Sequence, residues 1–239
     1  MEKSEAGDPI YRHNAQEDQD WQTPEKVSSL EEISDHIERY VGNVDIVFHE
    51  IVSDMVHIDV HWVKPTVEKP FHTLITSGMS DLPMTVPEGL DGHQYAELSI
   101  CLPEAWDLSE EGMKDTTNYW PISSLKYLAR FPHVYETWLG FGHTIPNGDP
   151  AEPFAENVDF NTMLLLPSVL FDDDFRILEL SDKKIHFYTL FPLYQEEVDL
   201  KLKKGVNALY KGFDKYKLSD IIDIQRPNTA TRRKRFGLF

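Results

Sequence analysis

The sequence predicts a single α/β domain, of the α+β type, in which a mixed and mostly antiparallel sheet is packed by three main helices. Short runs of β-branched and aromatic residues, bounded by turn residues, occur in two blocks of the chain. Apolar residues at helical spacing occur before, between and after these blocks. Of the 239 residues, 41% are hydrophobic, which is enough for one large core, and no internal repeat divides the chain.

The first helix is predicted over 24–41. Pro24 suits the first turn of a helix, and apolar residues recur at helical steps from Leu30 onward. Ser28 and Ser29 each have a glutamate three residues later, so the helix can also begin at either of them.

Four strands are predicted next, because four short runs rich in β-branched and aromatic residues are each closed by turn residues. They span 44–50, 55–63, 71–77 and 95–102. A loop rich in proline and glycine separates the last two strands.

The second half of the domain is predicted to begin with a helix over 121–135, in which Ile122, Leu125 and Leu128 share one face. Three strands, a long helix and a short helical turn follow. They span 162–167, 175–180, 185–191, 193–213 and 218–222, in that order.

We divide the chain into a flexible polar arm over 1–22, the domain over 23–224 and a basic C-terminal tail over 225–239. The tail carries five cations and no acid, which favours a disordered segment, with membrane or nucleic-acid contact as the alternative. Ten apolar side chains are expected in the core of the domain: Ile58, Val60, Leu74, Leu98, Ile100, Leu125, Leu128, Leu165, Phe187 and Val198.

The chain is strongly acidic, with a net charge of −18. This charge repels nucleic-acid phosphates, so we expect no direct binding of nucleic acid. It attracts a basic protein partner and speeds their encounter; the alternative explanation is solubility alone.

Cysteine usage and hydropathy predict a cytoplasmic protein. Cys101 is the one cysteine, which excludes an intramolecular disulfide and a thiolate zinc site and suits a reducing compartment. Its apolar neighbours predict a buried, inert thiol. The first residues do not form a signal peptide, and no apolar run is long enough to span a bilayer.

The strand over 55–63 carries the sequence pattern that most resembles a metal-binding or catalytic site. His57, Asp59 and His61 alternate with apolar residues and so share one face. Two imidazoles and a carboxylate are suitable ligands for a first-row metal, with His72 as a fourth, and would support a metal-dependent hydrolase. The purely structural interpretation, which we prefer, is a half-buried strand with a polar outer face.

Other chemical motifs are weak. Glu196 and Glu197 are adjacent on the predicted third helix, where their charges suit its N-terminus. The sequence contains no nucleophile elbow, dinucleotide loop or P-loop. The residues therefore predict no enzyme and no cofactor.

Five ordered blocks of the sequence resemble the Suppressor of Fused domain family. Residues 72–84 (HTLITSGMSDLPM) resemble its T-x-G-M/L-S-D block, and 96–103 (AELSICLP) its E-L-x-x-x-L-P strand. Residues 120–130 (WPISSLKYLAR) resemble its W-P-x-x-L-x-x-L-A-R helix. Gly142 and His143 match its turn before a histidine, and 186–205 its segment around P-L-Y-x-E-E. The single module resembles the bacterial form.

The resemblance implies a protein-binding module. Bacterial single-domain members resemble immunity proteins, which neutralise a cognate toxin that is often a nuclease, whereas the animal relative sequesters a transcription factor. A cytoplasmic antitoxin with a basic toxin as its partner is thus expected, without contact to a membrane. A scaffold that masks an extended peptide by strand addition is a weaker alternative.

The resemblance also implies site residues. The family's partner peptide contacts positions that match Arg130, Phe131, Gly142 and His143, and Gly142 replaces the family's acid. Two more polar positions, His72 and Asp81, are assigned to the same partner site. Asp59 and Ser77 form either a shared polar pocket or structural hydrogen bonds.

Overall fold

The computed structural model describes residues 2–13, 29–49 and 56–231. Its helices are α1 (Leu30–Tyr40), α2 (Thr116–Val134), α3 (Gln195–Lys204) and α4 (Asn207–Tyr216). Its strands are β1 (Glu2–Lys3), β2 (Pro9–Ile10), β3 (Ile46–Phe48), β4 (Asp59–Val63), β5 (Phe71–Ser77), β6 (Tyr95–Pro103), β7 (Thr144–Pro146), β8 (Thr162–Leu166), β9 (Ile177–Glu179) and β10 (Lys184–Leu193).

The main sheet confirms the predicted fold class. Its strand order is β3-β4-β5-β6-β10-β8-β7, and β9 also pairs with β10. The pair β6–β10 is parallel, and the other pairs of this sheet are antiparallel. The sheet is therefore mixed and mostly antiparallel.

Helices cover both faces of the sheet. Along β10, Tyr188 and Leu190 belong to the apolar cluster under α2, whereas Phe187 joins the cluster under α1 and Phe191 the one under α3 and α4. Because successive strand residues point to opposite faces, α2 lies on one face and the other helices lie on the opposite face. All ten predicted core residues are buried.

The second helix begins earlier than the sequence predicts. Asp115 caps it, because its carboxylate accepts a hydrogen bond from Thr117 N at 2.9 Å. Pro121, which we expect in the first turn, thus lies inside the helix. The first helix is described from Leu30 onward, and the predicted start at 24–28 lies outside the described residues.

The predicted helix over 193–213 is wrong, because the chain breaks into α3 and α4 at Gly205. This glycine has φ +79° and ψ 166°, a conformation that ends a helix. The predicted helical turn at 218–222 is also wrong. Ile221 instead forms a parallel bridge with Cys101, and Ile222 N donates to Cys101 O at 2.9 Å.

Three predicted strands are shortened by more than one residue, and the strand over 162–167 ends one residue early, at Leu166. Residues 173–176 form a 3-10 turn before β9, so the strand over 175–180 shrinks to Ile177–Glu179. The strands over 44–50 and 55–63 shrink to β3 and β4, and their end residues Glu50 and Met55 lie outside the described residues. In the described parts of the chain, no helix is long and apolar enough to cross a membrane.

Candidate functional site

Aromatic side chains form a surface at the C-terminal end of α2. The ring of Phe131 on α2 lies 4.7 Å from that of Tyr135, just beyond the helix. The ring of His143, in the turn before β7, lies 4.4 Å from that of Trp138. These distances join ring centroids. We call Phe131, Tyr135, Trp138 and His143 the aromatic surface.

The turn that carries His143 is fixed to the sheet by backbone hydrogen bonds. Gly142 N donates to Leu165 O at 2.8 Å, and Leu165 N donates to His143 O at 3.0 Å. Gly142 has φ +78°, a region that side chains disfavour. Gly142, which replaces the acid of the resembled motif, therefore suits this backbone conformation. His143, the next residue, provides the ring of the aromatic surface.

His143 is a neutral group at pH 7. Burial and the charge of Lys201 together lower its pKa to about 4. The surface around it therefore presents uncharged rings rather than an imidazolium.

A groove of about 340 Å³ runs beside Phe131 on the exposed side of α2. It is lined by Tyr119, Ser123, Lys126, Tyr127, Arg130, Phe131, Val134 and Tyr135. The Tyr127 side chain is conspicuous because the residue is 52% exposed despite its size. Arg130 lines the groove and donates from Nη1 to Lys126 O at 3.2 Å, so its guanidinium is held along the helix. The sequence-predicted Arg130 and Phe131 thus belong to one groove.

The chain's own N-terminal segment links Phe131 with His143. The His13 ring lies 5.5 Å from Phe131, edge to face, and 5.7 Å from Tyr135. The Tyr11 ring lies 6.4 Å from both His13 and His143. The structure therefore brings the predicted Phe131 and His143 to one surface. The N-terminal segment covers part of that surface.

His72 and Asp81 have other partners. Trp62 Nε1 donates to His72 Nδ1 at 3.0 Å, and the other ring nitrogen of His72 lies 3.2 Å from Glu104 O. Burial raises the pKa of Asp81, which interacts with the Ser29 backbone and with Lys183. The structure gives both residues structural contacts and does not bring them to Phe131.

Asp59 and Ser77 do meet, because they are paired in register across β4 and β5. Asp59 Oδ2 lies 2.9 Å from His49 Nδ1, and its Oδ1 lies 3.2 Å from His57 Nε2. Ser77 Oγ lies 2.9 Å from His61 Nε2. Burial lowers the pKa of His61 to about 4, so this polar pocket holds a neutral imidazole.

The structure does not support the metal site suggested by the sequence. The described residues contain no group of three or more His, Cys, Asp or Glu side chains arranged to hold a metal ion. The role of His72 as a fourth ligand is wrong for a geometric reason. His61 is opposite Ile75, whereas His72 shares the other face of β5 with Leu74.

Sequence reasoning missed a buried carboxylate that joins two of the resembled blocks. Glu97 of β6 is 0% exposed. It accepts hydrogen bonds from Thr76 Oγ1 at 2.6 Å, Ser80 Oγ at 2.7 Å and Ser80 N at 2.9 Å. Burial raises its pKa to about 7. A glutamate within an apolar strand run was the available signal for this network.

Gly78 explains the shape of the turn that brings Ser80 to Glu97. It has φ +103°, and a Cβ added here would lie 1.9 Å from His57 O. This position therefore requires glycine.

A second buried carboxylate, Glu197, forms an ion pair that corrects two interpretations of the sequence. Arg226 Nη2 lies 2.6 Å from Glu197 Oε2, and both side chains are almost completely buried. The rings of Phe160, Phe191 and Tyr194 lie 4.8–5.1 Å from Arg226 Cζ. Glu197 therefore forms a buried ion pair in addition to favouring the N-terminus of α3. Arg226, which we predicted in a disordered tail, is packed into the domain. Residues 232–239 lie outside the described residues, so the rest of the basic tail stays a prediction.

The fold and this surface define a single-domain α+β protein with a half-buried aromatic surface at the end of α2. The sequence of the domain also matches a known protein family. The family model of Suppressor of fused protein (SUFU) matches residues 54–227, and the chain belongs to this family. It is a family of protein-interaction domains.

Two solved structures share the fold. A SUFU homologue from Neisseria gonorrhoeae FA 1090 is 18% identical with a TM-score of 0.63; the match covers 84% of this chain and 96% of that chain. A chain of the Sufu-Fu complex is 17% identical with a TM-score of 0.58, and the match covers 84% and 92%. No curated protein has a significantly similar sequence.

Proposed function

We propose that this protein is an immunity protein, which neutralises a cognate toxin in the bacterial cytoplasm by stoichiometric binding without turnover. The aromatic surface and the adjoining groove receive the toxin. The family supports this proposal at the level of protein binding, and the composition of the surface and the charge of the chain support it further.

The single observation that carries the proposal is the aromatic surface itself. Aromatic and arginine side chains dominate the binding energy of protein interfaces. Aromatic rings bury large areas at low entropic cost, and arginine adds charged hydrogen-bond donors. Phe131 and Tyr135 provide such rings, and Arg130 provides a guanidinium at the edge of the groove. This combination fits a folded protein surface better than a small metabolite.

The net charge of −18 favours a basic toxin. A toxin that cleaves nucleic acid must bind phosphates and is therefore basic on its working face. An acidic inhibitor meets such a partner faster and excludes acidic competitors. A nuclease is accordingly the toxin class that we propose.

Coexpression with the toxin-like gene nearest on the chromosome tests this proposal. We expect the full chain to restore growth and to co-purify with the toxin-like protein as a 1:1 complex that weakens from low to high salt. Cell death in the presence of soluble chain, with no complex recovered, would contradict the proposed function.

Two variants locate the interface in the same experiment. Tyr127→Ala removes a ring that is 52% exposed, and we expect about tenfold weaker binding. Ile177→Ala is the control, because Ile177 is 40% exposed on β9 and does not line the groove. Equal affinities for both variants would place the toxin elsewhere on the domain.

A further inference from the structure

The first described residues form a closed hairpin, which we call the N-terminal strap (residues 2–13). Strands β1 and β2 pair with Glu2 opposite Ile10 and Lys3 opposite Pro9. Arg12 closes the hairpin, since its Nε and Nη2 lie 2.8 Å and 3.1 Å from the two carboxylate oxygens of Glu2. The strap is thus a small structured unit, although its sequence suggests a polar arm.

The strap extends across the proposed partner surface. At one end, Ala6 N donates to Leu202 O of α3 at 3.0 Å. At the other end, the His13 ring meets Phe131 and Tyr135. The strap therefore runs from α3 to α2 over the turn that carries His143.

Charge also favours this placement. The carboxylate of Asp8 in the strap interacts with Lys201 on α3, and the guanidinium of Arg12 interacts with Asp149 beyond β7. Each end of the strap thus has an opposite charge on the body of the domain.

We propose that the N-terminal strap is an intramolecular competitor, which occupies the partner surface in the unbound chain and leaves when the partner binds. This inference rests on the proposed function, because it assigns the same surface to the partner. Two of the residues expected to bind the partner, Phe131 and His143, contact the strap's rings. A partner that covers these rings must displace Tyr11 and His13.

The strap is suited to displacement. The contacts described above are one backbone hydrogen bond, ring contacts at 5.5–6.4 Å and longer-range charge interactions. Segments held by so few contacts open far more easily than the core. If the strap covers the surface in about nine molecules of ten, removing it raises the apparent partner affinity about tenfold.

The test uses the full chain with the double substitution Tyr11→Ala/His13→Ala, and Tyr216→Ala as the matched aromatic control. Tyr216 ends α4 and contacts neither the strap nor the aromatic surface in the ring contacts above. Hydrogen exchange of the Ala6 amide reports docking of the strap. Binding of the dye 1-anilinonaphthalene-8-sulfonate reports exposure of the aromatic surface, and titration with the toxin-like protein reports affinity.

We expect the double variant to exchange the Ala6 amide faster, to bind more dye and to bind the toxin-like protein about tenfold more tightly. The control should match the unmodified chain in all three measurements. Unchanged exchange and dye binding in the double variant would overturn the docking contact and the proposal with it.

Two further outcomes separate this inference from the proposed function. If exchange and dye binding rise but the toxin-like protein binds both forms equally well, the strap does not compete and this inference fails, while the proposed function stands. If the toxin-like protein binds neither form, the proposed function fails and the competition fails with it.

Discussion

Glu97 and Glu197 are both fully buried, but their surroundings are opposite. Glu97 receives hydrogen bonds from neutral donors on Thr76 and Ser80, and burial raises its pKa to about 7. Burial also acts to raise the pKa of Glu197. The Arg226 guanidinium outweighs this effect of burial and holds the pKa of Glu197 below its usual value. Burial is shared, so the charge of the neighbour sets the direction of the pKa shift.

The comparison separates two uses of a buried acid. The hydroxyl donors favour ionised Glu97 but do not outweigh its burial, so its pKa stays near neutrality. The Glu197–Arg226 pair fastens the segment after α4 to the start of α3, and this anchor depends on charge. We therefore expect the two sites to respond differently to mutation and to pH.

The largest effect is expected from Arg226→Met. It leaves Glu197 buried without its cation, which costs about 3–5 kcal/mol of unfolding free energy. Urea denaturation at pH 7 measures this loss. The double variant Glu197→Gln/Arg226→Met removes both charges and should lose clearly less; an equal loss would mean that the ion pair is not the cause.

Gly78→Ala tests the turn that supports Glu97. The added Cβ would meet His57 O at 1.9 Å in a left-handed backbone, so we expect a loss of about 3 kcal/mol. Gly89→Ala is the matched control, because Gly89 has φ +87° with no atom within 4 Å of the added carbon. It should cost about 1 kcal/mol. Similar losses would show that φ strain, and not the close approach to His57, controls this turn.

The pH dependence of stability should reveal Glu97. Between pH 4.5 and 7 the folded chain keeps a proton on Glu97 that the unfolded chain releases. Its contribution is thus fully present below pH 4.5 and is lost as pH rises through 7, by up to about 3 kcal/mol. His61 and His143, with pKa values lowered to about 4, act in the opposite direction.

The difference between the unmodified chain and Glu97→Gln isolates the glutamate from the histidines. We expect this difference in unfolding free energy to change between pH 4.5 and 7. For Glu197→Gln, in contrast, the difference in unfolding free energy should change at acidic pH. The lowered pKa of Glu197 means that its ionised form stabilises the folded chain, and this stabilisation is lost as pH falls. Parallel curves for Glu97→Gln and the unmodified chain would contradict the raised pKa of Glu97.

The smallest effect is expected from Ser80→Ala. It removes the hydroxyl donor to Glu97 and keeps the backbone donor, so we expect a loss of about 1–2 kcal/mol. The pKa of Glu97 should rise further, which moves the pH transition upward. Ser123→Ala is the control, since this exposed serine donates to a carbonyl of its own helix. A downward move of the transition would contradict the role of Ser80.

The sheet and core could be predicted because alternation of apolar residues follows directly from strand geometry. The bounds of β5 match the sequence prediction. Asp59 and His61 share one face of β4, whereas His57 lies before the strand. The preferred interpretation of this strand as half-buried with a polar outer face is wrong, because β4 is buried on both faces: Val60 is 0% and His61 1% exposed. The break at Gly205 was missed, because the apolar stripe continues at helical spacing on both sides of it.

Long-range contacts of polar residues could not be predicted. No spacing rule links Glu197 with Arg226, which is distant in sequence and lies in a polar segment. The aromatic surface was found in part through the resemblance, which identified Phe131 and His143. Tyr11 and His13 were missed because two rings in a polar stretch have no periodicity.

The parallel pair β6–β10 at the centre of the sheet has a consequence for protein synthesis. β6 is made in the first half of the chain, but its neighbour β10 follows only after α2, β7, β8 and β9. Until then, the segment from Tyr95 to Ser99, which includes Leu98, is an open strand edge on the ribosome. We therefore expect a nascent chain that stops before β10 to need a chaperone, and slow closure of this pair to limit the folding rate.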